Sequence, residues 1–182
     1  ECGADANACD IAVAFDHEEC GSTSNRGARC NTIMQIIDRI CEKLGYGAED
    51  KYRALAKSVV FSADQAHATH PSYTGNHEMN LPVYLNAGPV LKLSPGQSYA
   101  TSPRGTAFFK LICENNDIPY QVFNNRSDAR GGGTIGPMIS ADYGVMTVDI
   151  GNPMLSMHAV RELGGTDDCY YMTKLFAAFF KA

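Results

Sequence analysis

The chain has 182 residues, 45% of them hydrophobic and 19% charged, and its formal net charge is -5 at pH 7. This length and composition are typical of a globular protein with room for one domain and its core. The negative charge and the lack of a basic run argue against a nucleic-acid partner. No apolar stretch approaches the length of a membrane span, so a membrane protein is also disfavoured.

The cysteines indicate a reducing compartment. There are seven of them, an odd number, and no two have the C-x-x-C spacing. Most lie within or beside apolar patterns, where a free cysteine behaves as a small hydrophobe. We therefore predict a cytoplasmic protein without a disulfide framework, and a thiolate zinc site is disfavoured.

The first predicted element is a buried strand at residues 11–15, an unbroken apolar run. The polarity changes abruptly after it, at Asp16, His17, Glu18 and Glu19. Ligands of open α/β sheets bind at strand ends. Two adjacent carboxylates there repel each other unless a metal ion compensates them, in which case one can ligate and the other can act as a base. The alternative interpretation of this stretch is an exposed acidic turn.

Apolar periodicity and turn signals predict the other elements in alternation. Helices are predicted at about residues 33–44, 49–57, from 103, 134–143 and from 166, and strands at 58–62, 89–93, 119–123 and 145–150. Ser102 and Thr166 are the expected N-caps of their helices. The alternation predicts an α/β three-layer sandwich, with at least five strands in a mixed, mostly parallel sheet and helices on both faces.

Three strand ends carry groups of one chemical kind. Glu18 and Glu19 follow the first strand, Asp64 follows the second, and His158 lies beyond the last. Parallel strands bring such ends to one edge of the sheet. Carboxylates with a histidine are the ligands of a zinc or cobalt hydrolase site. The alternative is chance, because all five histidines lie in loops or just past strand ends, and loops are polar.

Several motifs in order resemble the aspartyl aminopeptidase family of dizinc metallopeptidases. They are DHEECGS at 16–22, SADQAHATHP at 62–71, GPVLK at 88–92, NRSD at 125–128, GTIGP at 133–137 and MHAVRE at 157–162. The resemblance runs from about residue 10 to the end, and the ordered set is far more specific than any one motif. It implies a cocatalytic dizinc exopeptidase that removes N-terminal Asp or Glu from peptides.

The resemblance also implies roles for individual residues. Glu18 would be the general base, Glu19 and His158 would hold one metal, and Asp64 would hold the other. The expected metal is zinc, two ions in the complete enzyme, with cobalt or manganese as alternatives.

Four further residues are implied to lie in or near the substrate site: His67, His70, Lys92 and Asp128. Lys92 would pair with an acidic side chain or a carboxylate of the substrate, and Asp128 is a candidate for binding the α-amino group. Each of these two has an ordinary alternative, since Lys92 also fits an edge-strand lysine and Asp128 also fits a turn residue.

The chain departs from the family pattern in one respect. The family has an upstream histidine in an H-x-D motif and a bridging aspartate, and neither motif is present; the family's inserted second domain is also missing. We therefore expect residues 1–182 to form one partial catalytic domain, truncated at the N-terminus, of a protein that is a homo-oligomer in its full-length form.

Three functions remain to be compared at this point. The first is a metal-dependent aminopeptidase, and the second is a catalytically inactive fragment of that fold with weak metal binding or an interaction role. The third, a nucleotide-binding module built on Gly131-Gly132-Gly133, is disfavoured because no Gly-Lys-Ser/Thr follows as in a P-loop.

Overall fold

A computed structural model gives the fold of residues 8–129 and 131–182. Its helices and strands alternate along most of the chain. They are α1 (Thr32–Lys43), α2 (Ala48–Lys57), β1 (Val59–Ala63), β2 (Ala66–His67), β3 (Val90–Leu93), α3 (Pro103–Asn115), β4 (Gln121–Asn124), α4 (Gly136–Tyr143), β5 (Met146–Gly151), β6 (Pro153–Leu155), β7 (Leu163–Gly164) and α5 (Thr166–Phe179).

Two sheets are formed. The main sheet has the strand order β1-β5-β3-β4. The pairs β1–β5 and β3–β4 are parallel, and β5–β3 is antiparallel, so the sheet is mixed with parallel pairs in the majority. The smaller sheet has the strand order β2-β6-β7. Its strands β2 and β6 directly follow β1 and β5 in the chain, and like those two strands they pair in parallel.

Side chains on the two faces of the main sheet enter different apolar clusters, because successive residues of a strand point to opposite faces. Leu91 and Val148 pack with Phe109 of α3 and Leu175 of α5 on one face. Val90, on the other face, packs with a second cluster. Helix α4 covers this second face, where its Gly136 lies directly against the carboxylate of Asp149.

The predicted α/β sandwich is therefore confirmed, with helices on both faces of a mixed sheet. Four of the five predicted strands are present as β1, β3, β4 and β5, each within two residues of its predicted bounds. The Ser102 cap of α3 is also confirmed, because its side-chain oxygen accepts the N–H of Gly105 at 3.1 Å.

The strand predicted at residues 11–15 is wrong. These residues have no strand geometry, and Ile11 and Val13 are exposed. A strand exists only where a neighbour accepts its ladder of hydrogen bonds, and the described elements offer residues 11–15 no such neighbour. The main sheet consequently has four strands, one fewer than the predicted minimum.

Thr166 is not the cap of α5, contrary to the sequence prediction. Gly165 occupies the N-cap position and Thr166 is the first helical residue. The N–H of Asp167 is instead satisfied by the side-chain oxygen of Asn86 at 3.0 Å. In return, the buried carboxylate of Asp168 accepts the N–H groups of Asn86 and Gly88 at 2.7 and 2.9 Å. The helix and the turn before β3 therefore cap each other.

Two further features concern the length of the helices and the cysteines. In the part of the chain that the structure describes, no helix has the length and apolar character needed to cross a bilayer. The six cysteines in that part are free thiols.

Candidate active site

Glu19 and His158 meet at the centre of the candidate site. Glu19 lies in a one-turn 3-10 helix, Glu18–Cys20, which follows His17 in a left-handed conformation. His158 lies in the loop between β6 and β7, where its backbone N–H donates to Glu162 at 2.6 Å. Oε1 of Glu19 is 3.1 Å from Nε2 of His158, and both side chains are largely exposed. The two groups can therefore contact each other or share a bound ion.

Glu18, next to this pair, has the electrostatics of a base. Its side chain is partly buried. The pKa of the Glu18 carboxyl is raised, first by loss of solvation and then by the negative charges of Asp64 and Glu19. A carboxylate whose pKa moves toward neutrality accepts a proton more readily. Its environment is thus distinct from that of Glu19, which is highly exposed and in contact with His158.

Asp64 begins the loop that follows β1 and forms an ion pair with Lys92 of β3. Nζ of Lys92 donates to Oδ2 of Asp64 at 3.4 Å and lies 5.5 Å from the centre of the Tyr99 ring. The lysine is 2% exposed, whereas 41% of the Asp64 side chain is exposed. Burial lowers the pKa of Lys92, and the charges of Asp64 and Asp149 oppose that shift.

Asp149 is a second carboxylate close to Lys92, and the sequence analysis did not single it out. The register of β3 and β5 pairs Val90 with Gly151 and Leu91 with Ile150, so Lys92 comes opposite Asp149. Asp149 is fully buried and accepts the backbone N–H of Ala100 and the hydroxyl of Thr134, each at 2.6 Å. The sequence signal that could have identified Asp149 is its position as an acidic residue within the apolar run of a buried strand.

His67, at the end of β2, belongs to the same group of side chains. Its ring centre is 6.4 Å from that of Phe123. The pKa of His67 is lowered, first by loss of solvation and then by positive charge on Lys92, His77 and His158. His67 is therefore close enough to Lys92, His77 and His158 for their charges to affect it.

His70 and Asp128 are less directly connected to this centre. The backbone N–H of His70 donates to His77, and its ring contacts Tyr73. Both carboxylate oxygens of Asp128 accept hydrogen bonds from Arg126, at 2.8 and 2.5 Å, and this partner lowers the pKa of Asp128. No hydrogen bond in the described part of the chain joins Asp128 to Glu19 or His158.

The donor types of the site fit zinc, but the number of donors is small. Imidazole and carboxylate are ordinary zinc ligands, and a zinc site usually takes four ligands or three with a water. Glu19 and His158 converge as a pair, while Asp64 is directed to Lys92. Within residues 8–129 and 131–182, no group of three or more His, Cys, Asp or Glu side chains is placed to hold a metal ion.

A mixed α/β sheet that brings carboxylate and imidazole groups together at one side supplies the donor types that metal-dependent hydrolases use. Comparison with known families agrees with this class. The family described as "Aminopeptidase I zinc metalloprotease (M18)" matches residues 3–180. The chain belongs to this family.

Individual relatives give the extent of the match. "Probable M18 family aminopeptidase 2" of Clostridium novyi (strain NT) is 42% identical over 175 residues, which are 96% of this chain and 40% of that protein. A chain in the cryo-EM structure of the Ape4 and Nbr1 complex is 42% identical with a TM-score of 0.89, over 92% of this chain and 32% of that one. The S. cerevesiae mApe1 dodecamer is 30% identical with a TM-score of 0.80, over 92% and 36%. This chain thus spans about 40% of the length of the curated relative it matches.

Proposed function

We propose that the protein containing this chain is a metal-dependent aminopeptidase that removes N-terminal Asp or Glu from peptides. The observation that carries the proposal is the Glu18–Glu19–His158 arrangement. One carboxylate contacts an imidazole, and its neighbour, with a raised pKa, is free of that contact. Family membership supports the aminopeptidase activity, and the basic side chain of Lys92 near the site supports acidic specificity.

Each acidic residue has a separate role in this proposal. Glu19 and His158 hold one zinc ion and Asp64 contributes to a second, with cobalt or manganese as possible replacements. Zinc, when bound, supplies Lewis-acid activation of water and of the substrate carbonyl. Glu18 accepts the proton from the attacking water and delivers it to the leaving amine.

The substrate-binding roles follow from charge. Lys92 pairs with the acidic side chain of the substrate, which requires that the substrate carboxylate displace Asp64 from this buried lysine. His67, whose pKa is lowered first by loss of solvation and then by the charge of Lys92, and His70 are assigned to the same substrate site. Asp128 receives the α-amino group, which requires that the amine compete with Arg126 for its carboxylate.

The proposal also covers the oligomeric state of the protein and the compartment in which it acts. Residues 1–182 form one part of a catalytic domain, and the full-length protein is a cytoplasmic homo-oligomer. The dodecamer of S. cerevesiae mApe1 supports the oligomer. The sequence carries no signal for a nucleic-acid or membrane partner.

A second candidate is a catalytically inactive fragment that binds metal weakly or acts through an interface. It is favoured by the Glu19–His158 pair, because two donors provide only half of a tetrahedral zinc site.

Hydrolysis of matched aminoacyl p-nitroanilides decides between the two candidates. Asp-, Glu- and Leu-p-nitroanilide are offered to the 182-residue chain and to the longest natural product of its reading frame, with and without zinc. The aminopeptidase proposal expects zinc-dependent cleavage of the Asp and Glu substrates by the longer product. Absence of cleavage by both proteins supports the inactive fragment, and preference for Leu rejects the acidic specificity.

A further inference from the structure

The turn formed by residues 70–77 is closed on itself by the ring of His77. The backbone N–H of His70 donates to Nε2 of His77 at 3.2 Å. Inside this closure, Tyr73 N–H donates to the carbonyl of His70 at 3.0 Å, and His77 N–H donates to the carbonyl of Thr74 at 3.1 Å. A one-turn 3-10 helix, Thr74–Asn76, forms the tip. The ring of one residue therefore connects the two ends of the turn.

The closing hydrogen bond requires a neutral imidazole. Nε2 of His77 accepts a proton from a backbone donor, so its own ring proton must reside on Nδ1. Protonation of the ring places a hydrogen on both nitrogens and turns the acceptor into a second donor that faces the N–H of His70. The bond is then replaced by a repulsive contact.

From this geometry we propose that His77 is a pH-sensitive latch, which closes the turn of residues 70–77 when neutral and releases it when protonated. The proposal does not depend on the aminopeptidase activity. It assigns His77 a positioning role, because the turn carries His70 and borders the cleft beside Asp128.

The direction of the pH effect follows from the surroundings of His77. Partial loss of solvation and the neighbouring His70 both lower the pKa of His77 below its usual value of 6.5. The closed turn thus binds a proton less readily than the open turn does. The stabilisation of the closed turn by His77 is fully present above about pH 6.5. It is lost as the pH falls from there toward the lowered pKa, by up to about tenfold for each pH unit.

The charged groups that face His77 do not offset the loss of its hydrogen bond. His67 and His70 carry the same sign of charge when protonated. Glu78 is engaged by the backbone N–H and side-chain amide of Asn80, at 3.0 and 2.7 Å. Asp128 is engaged by Arg126. A protonated His77 thus meets two imidazoles, and the nearby carboxylates already have partners.

Two other contacts define what moves when the latch opens. At the base of the turn, Thr69 N–H donates to the carbonyl of Val83 and Val83 N–H donates to the Thr69 hydroxyl, at 2.8 and 3.0 Å. At the tip, Arg126 donates to the carbonyl of Gly75. Neither contact involves a group that titrates between pH 5 and 8. Release of His77 therefore loosens the turn between a fixed base and a tethered tip.

The tip also lines a cleft of about 590 Å³, whose walls include Gly75, His77, Arg126 and Asp128. Because His77 belongs to both the latch and the cleft wall, release of its ring is expected to change the shape of the cleft as well. Acidification is thus expected to alter access to Asp128 together with the placement of His70.

Amide hydrogen exchange on the 182-residue chain tests the latch. Protection of the His70 amide, relative to an unstructured peptide at the same pH, is measured by NMR at pH 7.5 and pH 5.0. The proposal expects a several-fold loss of protection at pH 5.0, confined to residues 70–77. In His77→Gln the side-chain oxygen can accept the same N–H without titrating, so protection of the His70 amide should not depend on pH. The Ser72 amide is left out of this comparison, because its N–H donates to the His70 ring, which can itself be protonated. The matched variant His70→Gln retains the latch and should still lose protection. Equal protection of the native chain at both pH values, or the same loss in His77→Gln, overturns the proposal.

A second measurement remains decisive if either variant fails to fold. Long-range ¹H–¹⁵N NMR spectra of the native chain report the tautomer and the titration of His77 directly. The proposal expects the Nδ1–H tautomer at pH 7.5 and a midpoint below 6.5. The Nε2–H tautomer, or a midpoint above 6.5, overturns it.

Discussion

Oε1 of Glu19 lies 3.1 Å from Nε2 of His158, although 139 residues separate them in the chain. The contact joins the segment before α1 to the loop after β6, so it reports the tertiary fold rather than any local pattern. It also separates Glu19 from Glu18, the adjacent carboxylate, whose pKa is raised by its own surroundings. The two glutamates are therefore expected to respond differently to the same substitution.

Glu18→Gln and Glu19→Gln test that difference in the longest natural product of the reading frame. Glu18→Gln keeps the shape of the side chain but cannot accept a proton, so kcat should fall by about 10²–10⁴-fold while the zinc content stays nearly intact. Glu19→Gln removes a charged ligand, so zinc content and activity should fall together. The measurements are kcat and zinc per protomer for both variants.

Two results would contradict this assignment. Loss of zinc in Glu18→Gln with retention in Glu19→Gln would mean that the roles are reversed. Full activity in both variants would mean that residues 16–19 are only an exposed acidic turn.

The 182-residue chain by itself should bind zinc weakly. A zinc site usually draws on three or four protein ligands, whereas the structure brings Glu19 and His158 together as a pair. Isothermal titration with Zn²⁺ should give weak binding that is lost in His158→Gln and unchanged in His77→Gln, which removes a histidine outside the pair. Tight, stoichiometric zinc binding would show that further ligands join the pair in solution.

Lys92→Met should abolish a preference for acidic N-terminal residues in the longest natural product. The methionine keeps much of the length and apolar stem of the side chain but removes the charge that pairs with a substrate carboxylate. KM for Asp-p-nitroanilide should rise at least about tenfold, the effect of a lost charge-assisted contact worth about 1.4 kcal/mol or more. KM for Leu-p-nitroanilide should change little.

Lys110→Met is the matched control, because Nζ of Lys110 also lies over a tyrosine ring, 5.9 Å from the centre of Tyr120. It should leave both KM values unchanged. An equal rise for both substrates in Lys92→Met would indicate a general disturbance of the fold rather than a loss of specificity.

Asp149→Ala should destabilise the chain strongly. The substitution leaves the N–H of Ala100 and the hydroxyl of Thr134 without their acceptor. It also removes one of the negative charges that act on the buried Lys92. Removing one partner from a buried charged network costs about 3–5 kcal/mol. Urea unfolding, followed by circular dichroism, measures the free energy.

Asp38→Ala provides the comparison, since Asp38 forms its ion pair with Lys51 at the surface. Its free energy of unfolding should stay close to that of the native chain. Similar stabilities for Asp149→Ala and the native chain would show that the carboxylate of Asp149 is not needed for the packing of β5.

Local patterns predicted much of the fold because they act over a few residues. The apolar face of α1 and the Ser102 cap of α3 are properties of consecutive turns. The runs that became β1, β3, β4 and β5 are each bounded by their own turn signals. The motifs also led to Glu18, Glu19, Asp64 and His158, although their assigned chemistry remains a prediction.

The sequence predictions that were wrong concern features whose structure depends on a residue far away in the chain. Residues 11–15 have the composition of a buried strand, yet a strand depends on a neighbour that no local pattern reveals. Thr166 is the sequence neighbour expected to cap α5. The side-chain oxygen that accepts the N–H of Asp167 belongs instead to Asn86, which is 81 residues away in the chain. A local cap is only one of the ways in which a helix end can satisfy its free N–H groups.

The sequence by itself determined the α/β class, the order of helices α1 to α5 and of strands β1, β3, β4 and β5, and the kinds of side chain in the motifs, because hydrophobic periodicity and turn chemistry are encoded residue by residue. The tertiary structure alone decided which of those side chains meet. It paired Glu19 with His158, placed Lys92 between Asp64 and the buried Asp149, and closed the turn of residues 70–77 on His77. These contacts depend on strand register and on the placement of the loops, and such geometry follows from the packing of the whole chain.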